Sequence, residues 1–115
     1  MPLLKLETNV EITSEQRAAL LASLSKIVAQ TIGKPEQYVM VTVNQAGVLM
    51  AGKPGDAAFG DLRSIGGLNS DVNNQLSEKI CQFLSQFLGI TPDRIYLNFT
   101  DVKAGNWGWN GATFG

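Results

Sequence analysis

Residues 72–99 read VNNQLSEKICQFLSQFLGITPDRIYLNF, and the order of residue types in this stretch decides the fold. Val72, Leu76, Ile80, Phe83, Leu84, Phe87 and Leu88 recur every three or four positions, which places them on one face of an α-helix. Gly89 follows the last of them and suits the left-handed turn that ends a helix. Pro92 has no amide hydrogen and prevents the helix from resuming. Arg94-Ile95-Tyr96-Leu97-Asn98-Phe99, rich in β-branched and aromatic residues, then reads as a strand. Upstream, Asn69 or Ser70 offers a helix cap, Gly66-Gly67 a break, and Leu62–Ile65 a candidate strand.

The first half of the chain repeats this order. Leu3–Thr8 is a short apolar run. Thr13 and Gln16 have the spacing of a capping box, in which each satisfies a backbone N–H that the helix leaves free. Leu20, Leu24, Ile27 and Val28 follow at helical spacing, and Leu21 widens the stripe. Gly33 and Pro35 end that helix, and Tyr38–Val43 is a β-branched strand. Gly33 and Gly89 lie about half a chain apart. The 115 residues therefore predict one α+β domain, 1–115, made of a duplicated β-α-β unit with pseudo-repeats at about 2–50 and 58–103. The expected product is a four-stranded mixed sheet with two helices on one face.

Val39–Val43 and Ile95–Phe99 read as largely apolar on both alternating faces, a pattern of strands covered on both sides. Two helices cover only one face. The other is expected to pack against further copies of the chain, making a homo-oligomer; partial cover by residues 44–61 is the competing arrangement. The tail Ala104–Gly111 sets Trp107 and Trp109 among glycines, which suits a pocket rim or a subunit contact. It also suits a C-terminal hairpin that turns at Asn110-Gly111.

Composition excludes several kinds of chemistry. Nine Lys and Arg against ten Asp and Glu leave a net charge of −1, with no field of one sign to hold a phosphate backbone, so no nucleic-acid partner is expected. The chain has no histidine, which removes imidazole bases, Ser–His and Cys–His pairs, and most transition-metal sites; no metal is expected. Cys81 is the only cysteine and falls on the apolar stripe of the second helix, where it reads as inert core. No apolar run is long enough to span a bilayer, so no membrane partner is expected. The first residues lack the features of a signal peptide, which makes the expected location cytoplasmic, with export by another route left open.

Most motifs fail on inspection. Gly47–Lys53 fits seven positions of a phosphate-binding loop, but Pro54 stands where Ser or Thr should hold magnesium. Asn98-Phe99-Thr100 has the form of a glycosylation acceptor but lies in a strand. Gly105–Gly108 lacks the spacing of a dinucleotide fingerprint, and Asp56, Asp61, Asp71 and Asp93 form no catalytic pair. The remaining candidate for acid–base chemistry is Pro2. Removal of Met1 would expose its secondary amine at the head of an apolar strand. Apolar surroundings and a nearby cation both disfavour the protonated form of an amine, which would bring this one into the range of a general base.

Taken together, Met1-Pro2, Thr8-Asn9-Val10, Gly33-Lys34-Pro35, Ser64-Ile65-Gly66, Pro92–Tyr96 with Asn98, and Gly108-Trp109-Asn110 leading to Thr113-Phe114 resemble the family of macrophage migration inhibitory factor and D-dopachrome tautomerase, in the tautomerase superfamily. The likeness runs nearly end to end. It implies a homotrimer with active sites between subunits and a cofactor-independent keto–enol tautomerase acting on small aromatic keto acids such as phenylpyruvate, or on dopachrome-like quinones. In that likeness Pro2 is the catalytic base. Lys34 is the cation that meets the substrate's carboxylate or carbonyl and depresses the pKa of Pro2, and the Ile65 backbone is a donor to the carboxylate. Tyr96 and Asn98 of a neighbouring subunit meet the distal end of the substrate, while Trp109 and Phe114 are apolar walls. Trp107 stands at a pocket position where the vertebrate cytokine has a small aliphatic residue. The likeness also allows a cytokine-like binding or signalling protein with a vestigial pocket. Against that role, Ala57-Ala58-Phe59-Gly60 stands where the cytokine has CxxC, and Glu11-Ile12 where it has a receptor-linked arginine. Hydratase and dehalogenase relatives bring extra arginines to the proline; Arg17, Arg63 and Arg94 occupy no matching place.

Overall fold

Each half of the chain opens its helix with a side-chain cap. Thr13 Oγ1 accepts from the Gln16 amide at 3.1 Å, and Gln16 Oε1 accepts from the Thr13 amide at 2.9 Å. Helix α1 then runs over Ser14–Ile32. In the second half Asn69 Oδ1 accepts from the Val72 amide at 2.9 Å, so the cap is Asn69, and α2 runs over Ser70–Leu88. Both helices end on the expected glycines, Gly33 and Gly89, whose φ values are 80° and 74°. Thr13→Ala is expected to cost about 1 kcal/mol of unfolding free energy in denaturant titrations, because the Gln16 amide loses its side-chain acceptor.

The structure is a computed structural model that describes residues 1–115. Strand β1 spans Pro2–Thr8, β2 Met40–Gln45, β3 Ala58–Ser64 and β4 Ile95–Asp101; a short hairpin, β5 (Gly108–Trp109) and β6 (Ala112–Thr113), closes the chain. The four long strands form one mixed sheet in the order β2-β1-β3-β4. β1 is parallel to β2, β3 is parallel to β4, and the two β-α-β units meet along the antiparallel β1–β3 pair. The expected α+β architecture is the observed one. The core lies between the sheet and the helices: Leu4, Leu6 and Leu62 from the sheet, Leu20, Leu24 and Val28 from α1, and Leu76, Ile80 and Leu84 from α2. No helix is long and apolar enough to cross a membrane.

Several strand boundaries differ from the sequence pattern. β3 begins at Ala58 rather than at Leu62, although Ala58-Phe59-Gly60 has weak strand preference. Pairing overrides preference here, since Thr8, Glu7 and Leu6 of β1 lie opposite Ala58, Phe59 and Gly60. The start of β3 is also held from outside. Buried Thr8 donates through Oγ1 to the Ala57 carbonyl at 2.8 Å, and Asn9 Oδ1 accepts from the Ala57 amide at 2.9 Å. β2 and β4 begin one or two residues late because Glu36–Tyr38 and Pro92–Arg94 form 3-10 turns after each proline. Arg94 is thereby freed from the strand. Its guanidinium donates to the carbonyls of Lys53, Gly55 and Asp56 and ties the loop before β3 to the start of β4.

The face of the sheet away from the helices is open but not apolar throughout, which corrects the reading of β2 and β4 as apolar on both sides. Val41, Val43, Leu97 and Phe99 pack toward the helices. The alternate positions lie across the strands in rows: Met40–Leu3–Arg63–Thr100, Thr42–Lys5–Asp61–Asn98, and Asn44–Glu7–Phe59–Tyr96. Apolar residues occupy opposite corners of this face, and polar ones run through its middle, where Asp61 pairs with Arg63 at 3.2 Å. Met40 is 62% exposed and Tyr96 66%, so residues 44–61 do not cover this face.

Candidate active site

The end of α1, the start of β1, the turn after β3 and the C-terminal hairpin converge at one edge of the molecule. Gly33 turns the chain out of α1, and the Gly33 and Lys34 amides both donate to the Ala29 carbonyl, at 2.9 and 3.1 Å. Pro35 then starts a new direction, and the side chain of Lys34 crosses to the second β-α-β unit. There its ammonium donates a hydrogen bond to the Ile65 carbonyl.

The turn that presents Ile65 has left-handed backbone at Gly66 (φ 71°) and Gly67 (φ 82°). Gly67 also leaves room for its neighbours: a Cβ there would lie 2.7 Å from Ile32 Cγ2 and 3.3 Å from Lys34 Cε. Any side chain at Gly67 strains the backbone and presses on the stem of Lys34.

The hairpin supplies the opposite wall. Asn110 (φ 53°) and Gly111 (φ 85°) form a two-residue turn of the type that matches strand twist. The Trp109 and Phe114 rings stack with centroids 5.9 Å apart and planes inclined by 11°. The tail is thus a hairpin and a pocket rim at once. Lys34, Ile65, Trp109 and Phe114, with Pro35 and Tyr38, surround a cavity of about 330 Å³ into which Met1 also reaches. A second cavity of about 630 Å³ shares Met1, Tyr38 and Trp109 with the first and is lined further by Pro2, Leu3, Met40 and Trp107.

Met1 lines both cavities. Its terminal amine is held below the ordinary terminal-amine range, first because burial disfavours the charged form and then because the Lys34 ammonium stands beside it. Lys34 and Tyr38 are the titratable side chains that line the two cavities. With Met1 in place the Pro2 nitrogen is an amide, and the Pro2 ring is fully buried at the head of β1.

Of the residues singled out from the sequence, Lys34, Ile65, Trp109 and Phe114 meet in the first cavity, and Pro2 and Trp107 in the second. Tyr96 and Asn98 stand apart, exposed on the open sheet face of edge strand β4. Tyr38 and Pro35 line the first cavity and were not expected there. The signal was Pro35 itself: a proline directly after the lysine implies a turn, and a turn swings Tyr38 back beside Lys34.

The model of the macrophage migration inhibitory factor (MIF) family matches residues 1–115. The macrophage migration inhibitory factor homolog of Trichuris trichiura is 37% identical over 115 residues, covering 99% of this chain and 100% of the relative. The macrophage migration inhibitory factor of Rattus norvegicus is 38% identical, with 99% of each chain covered. Among solved structures, the macrophage migration inhibitory factor-like protein of Entamoeba histolytica superposes with a TM-score of 0.94 at 34% identity, covering 98% of both chains. The homologue from Prochlorococcus marinus gives 0.93 at 37% identity, covering 98% of this chain and 99% of that one.

Proposed function

Since the chain belongs to the macrophage migration inhibitory factor family, we propose that it is a cofactor-independent keto–enol tautomerase whose base is the amine of Pro2, exposed when Met1 is removed. The observation that carries this reading is that Met1, whose terminal amine stands beside the Lys34 ammonium, lines both the small apolar cavity of Lys34 and the cavity of Pro2. An amine there is neutral at physiological pH more readily than in water, and a neutral amine accepts protons.

The reaction asks for little more. The Pro2 nitrogen takes a proton from the carbon beside the substrate's carbonyl and leaves an enolate. The ammonium formed at Pro2 returns the proton to the enolate oxygen, so keto and enol forms exchange with no net change in atoms or electrons. Lys34 carries three donors, of which Ile65 engages one. The others face the substrate's carboxylate and the oxygen on which charge develops. The aromatic wall of Tyr38, Trp109 and Phe114 suits the ring of a small aromatic keto acid such as phenylpyruvate. Trp107 extends this wall beside Pro2 and narrows the range of substituents the site accepts.

The open sheet face and the exposed Tyr96 and Asn98 support a homotrimer in which each β4 lends these two side chains to a neighbour's cavity. The test has two parts. In solution the protein should sediment at about three times its 12.4 kDa chain mass. Protein whose intact mass shows Met1 to be absent should convert the enol of phenylpyruvate to the keto form without added metal or cofactor. A processed trimer that leaves the substrate at the uncatalysed rate ends this reading.

A second reading is favoured by the relatives' names, which describe an effect on migrating macrophages. The chain would then be a binding or signalling protein with an idle pocket. It predicts that a Pro2 variant binds a cell-surface partner as the unaltered protein does, and that the unaltered protein has no tautomerase activity.

A further inference from the structure

We propose that Asp101 is a positioning residue for the anchoring end of the cavity: it holds the turn that sets the Ile65 carbonyl against Lys34. The proposal rests on the tautomerase reading above and deepens it.

The turn Ile65–Gly67 leaves β3 with two successive left-handed residues and belongs to no helix or strand. Its shape is fixed from two sides. Asp101 Oδ1, at the last position of β4, accepts from the Gly66 amide at 2.9 Å. Fully buried Ser64 donates through Oγ to the Gly66 carbonyl at 2.7 Å. The β3–β4 ladder continues directly beneath, with Ser64 opposite Asp101 and the Val102 amide donating to the Ser64 carbonyl at 2.8 Å. Gly66 therefore has its amide fastened to β4 and its carbonyl fastened to β3.

The peptide whose N–H is fastened to Asp101 also bears the Ile65 carbonyl, and that carbonyl takes the Lys34 ammonium. Lys34 is a long, flexible side chain, and no acidic group pairs with it among the ion pairs of the molecule. What fixes its head is the Ile65 carbonyl, and what fixes the Ile65 carbonyl is the hydrogen bond from Gly66 to Asp101. A hydrogen bond to a charged acceptor is stronger than a neutral one, so its loss is felt. β4 thereby has two tasks: Asp101 orders this chain's own anchoring turn, while Tyr96 and Asn98 face outward from the same strand.

A strand-end contact with a merely structural role would lower stability and affect all substrates alike. A positioning role shows itself where the substrate's carboxylate is bound. Asp101→Ala is expected to raise KM for phenylpyruvate about ten-fold, with kcat changed far less and with little effect on KM for phenylpyruvate methyl ester, which lacks the anionic group. Asp101→Asn keeps an acceptor oxygen in place and should restore most of the loss. Ser64→Ala, which frees the other side of Gly66, should shift the acid-to-ester ratio the same way, and it decides the matter if Asp101→Ala does not fold.

A second readout needs no catalysis. In processed protein, pH titration of the Pro2 amine should give a higher pKa in Asp101→Ala than in wild type, because a loosened Lys34 no longer opposes the amine's charge. Should wild type prove inert toward phenylpyruvate, the tautomerase reading falls and this titration alone judges Asp101. A folded Asp101→Ala protein with an unchanged acid-to-ester ratio and an unchanged amine pKa would overturn the proposal.

Discussion

Processed Pro2→Gly protein is expected to tautomerise phenylpyruvate at least about a hundred-fold more slowly than processed wild type, with kcat taking most of the loss. The variant keeps an amine at the start of the chain, so the prediction concerns position and not mere presence. In the folded protein the Pro2 ring is fully buried, and β1 is held by β2 on one side and by β3 on the other. A buried ring fixes its own nitrogen, because that nitrogen is part of the ring. Glycine has no ring to bury and no restriction on φ, so its amine samples many directions. Misplacing a reacting group by about 1 Å can cost a hundred-fold, and a general base commonly contributes 10²–10⁴. Protein that retains Met1 should be impaired as well, because the Pro2 nitrogen is then an amide and the free amine is one residue away. Stopped enol-to-keto assays on mass-verified samples measure both. Equal rates for Pro2→Gly and wild type would remove Pro2 from the mechanism.

The fold was legible because its punctuation is local. Thr13 with Gln16, Asn69, Gly33 and Gly89 act within a few residues of themselves, and each does in the structure what its position implies. The duplicated order of helix, glycine, proline and strand then leaves few ways to assemble the sheet. What was not legible depends on distant partners. Ala58-Phe59-Gly60 becomes strand because β1 lies alongside, and Gly60 leaves room for Leu97, whose Cδ2 a Cβ there would meet at 2.6 Å and push aside. No window of sequence around Gly60 contains Leu97. The polar middle of the outer face is hidden for a related reason: Lys5, Asp61 and Asn98 lie in one row only when three strands are in register.

The site divides along the same line. Composition left Pro2 as a candidate by excluding histidine and its nucleophile pairs, and the likeness to the family supplied its role together with Lys34, Ile65, Trp109 and Phe114, the last four of which the fold brings together. Tyr38 heads a β-branched run in the sequence, yet the 3-10 turn after Pro35 makes it part of the cavity wall. Asp101 escaped because its partner, the Gly66 amide, is 35 residues away and carries no side chain that a pattern could register.

Lys34→Ala is expected to lower kcat/KM for phenylpyruvate by about 10²–10³ and to move the acidic limb of the pH–rate profile to higher pH. The first effect follows from the loss of the cation on which enolate and carboxylate charge would rest. The second follows from the surroundings of the chain start, where the Met1 amine is lowered by burial first and by Lys34 second, and where removal of Met1 would leave the Pro2 amine. The active form of the base is the neutral amine, so the rate rises with pH as the amine loses its proton. A positive neighbour disfavours the protonated amine and keeps the limb low. Removing that neighbour lets the amine hold its proton to higher pH, and the limb moves upward. It should still lie below the ordinary terminal-amine range, because the larger cause, burial, remains in the alanine variant. Lys34→Arg separates the two effects: it keeps the positive charge, so the limb should stay near its wild-type position, while the changed reach of the guanidinium raises KM. Raising the ionic strength of wild type should shift the limb in the same direction as Lys34→Ala and by less, since salt screens a partly exposed charge only in part. A Lys34→Ala profile whose limb coincides with that of wild type would show that the base is not electrostatically coupled to Lys34, and the chemistry assigned to this cavity would then need a different base.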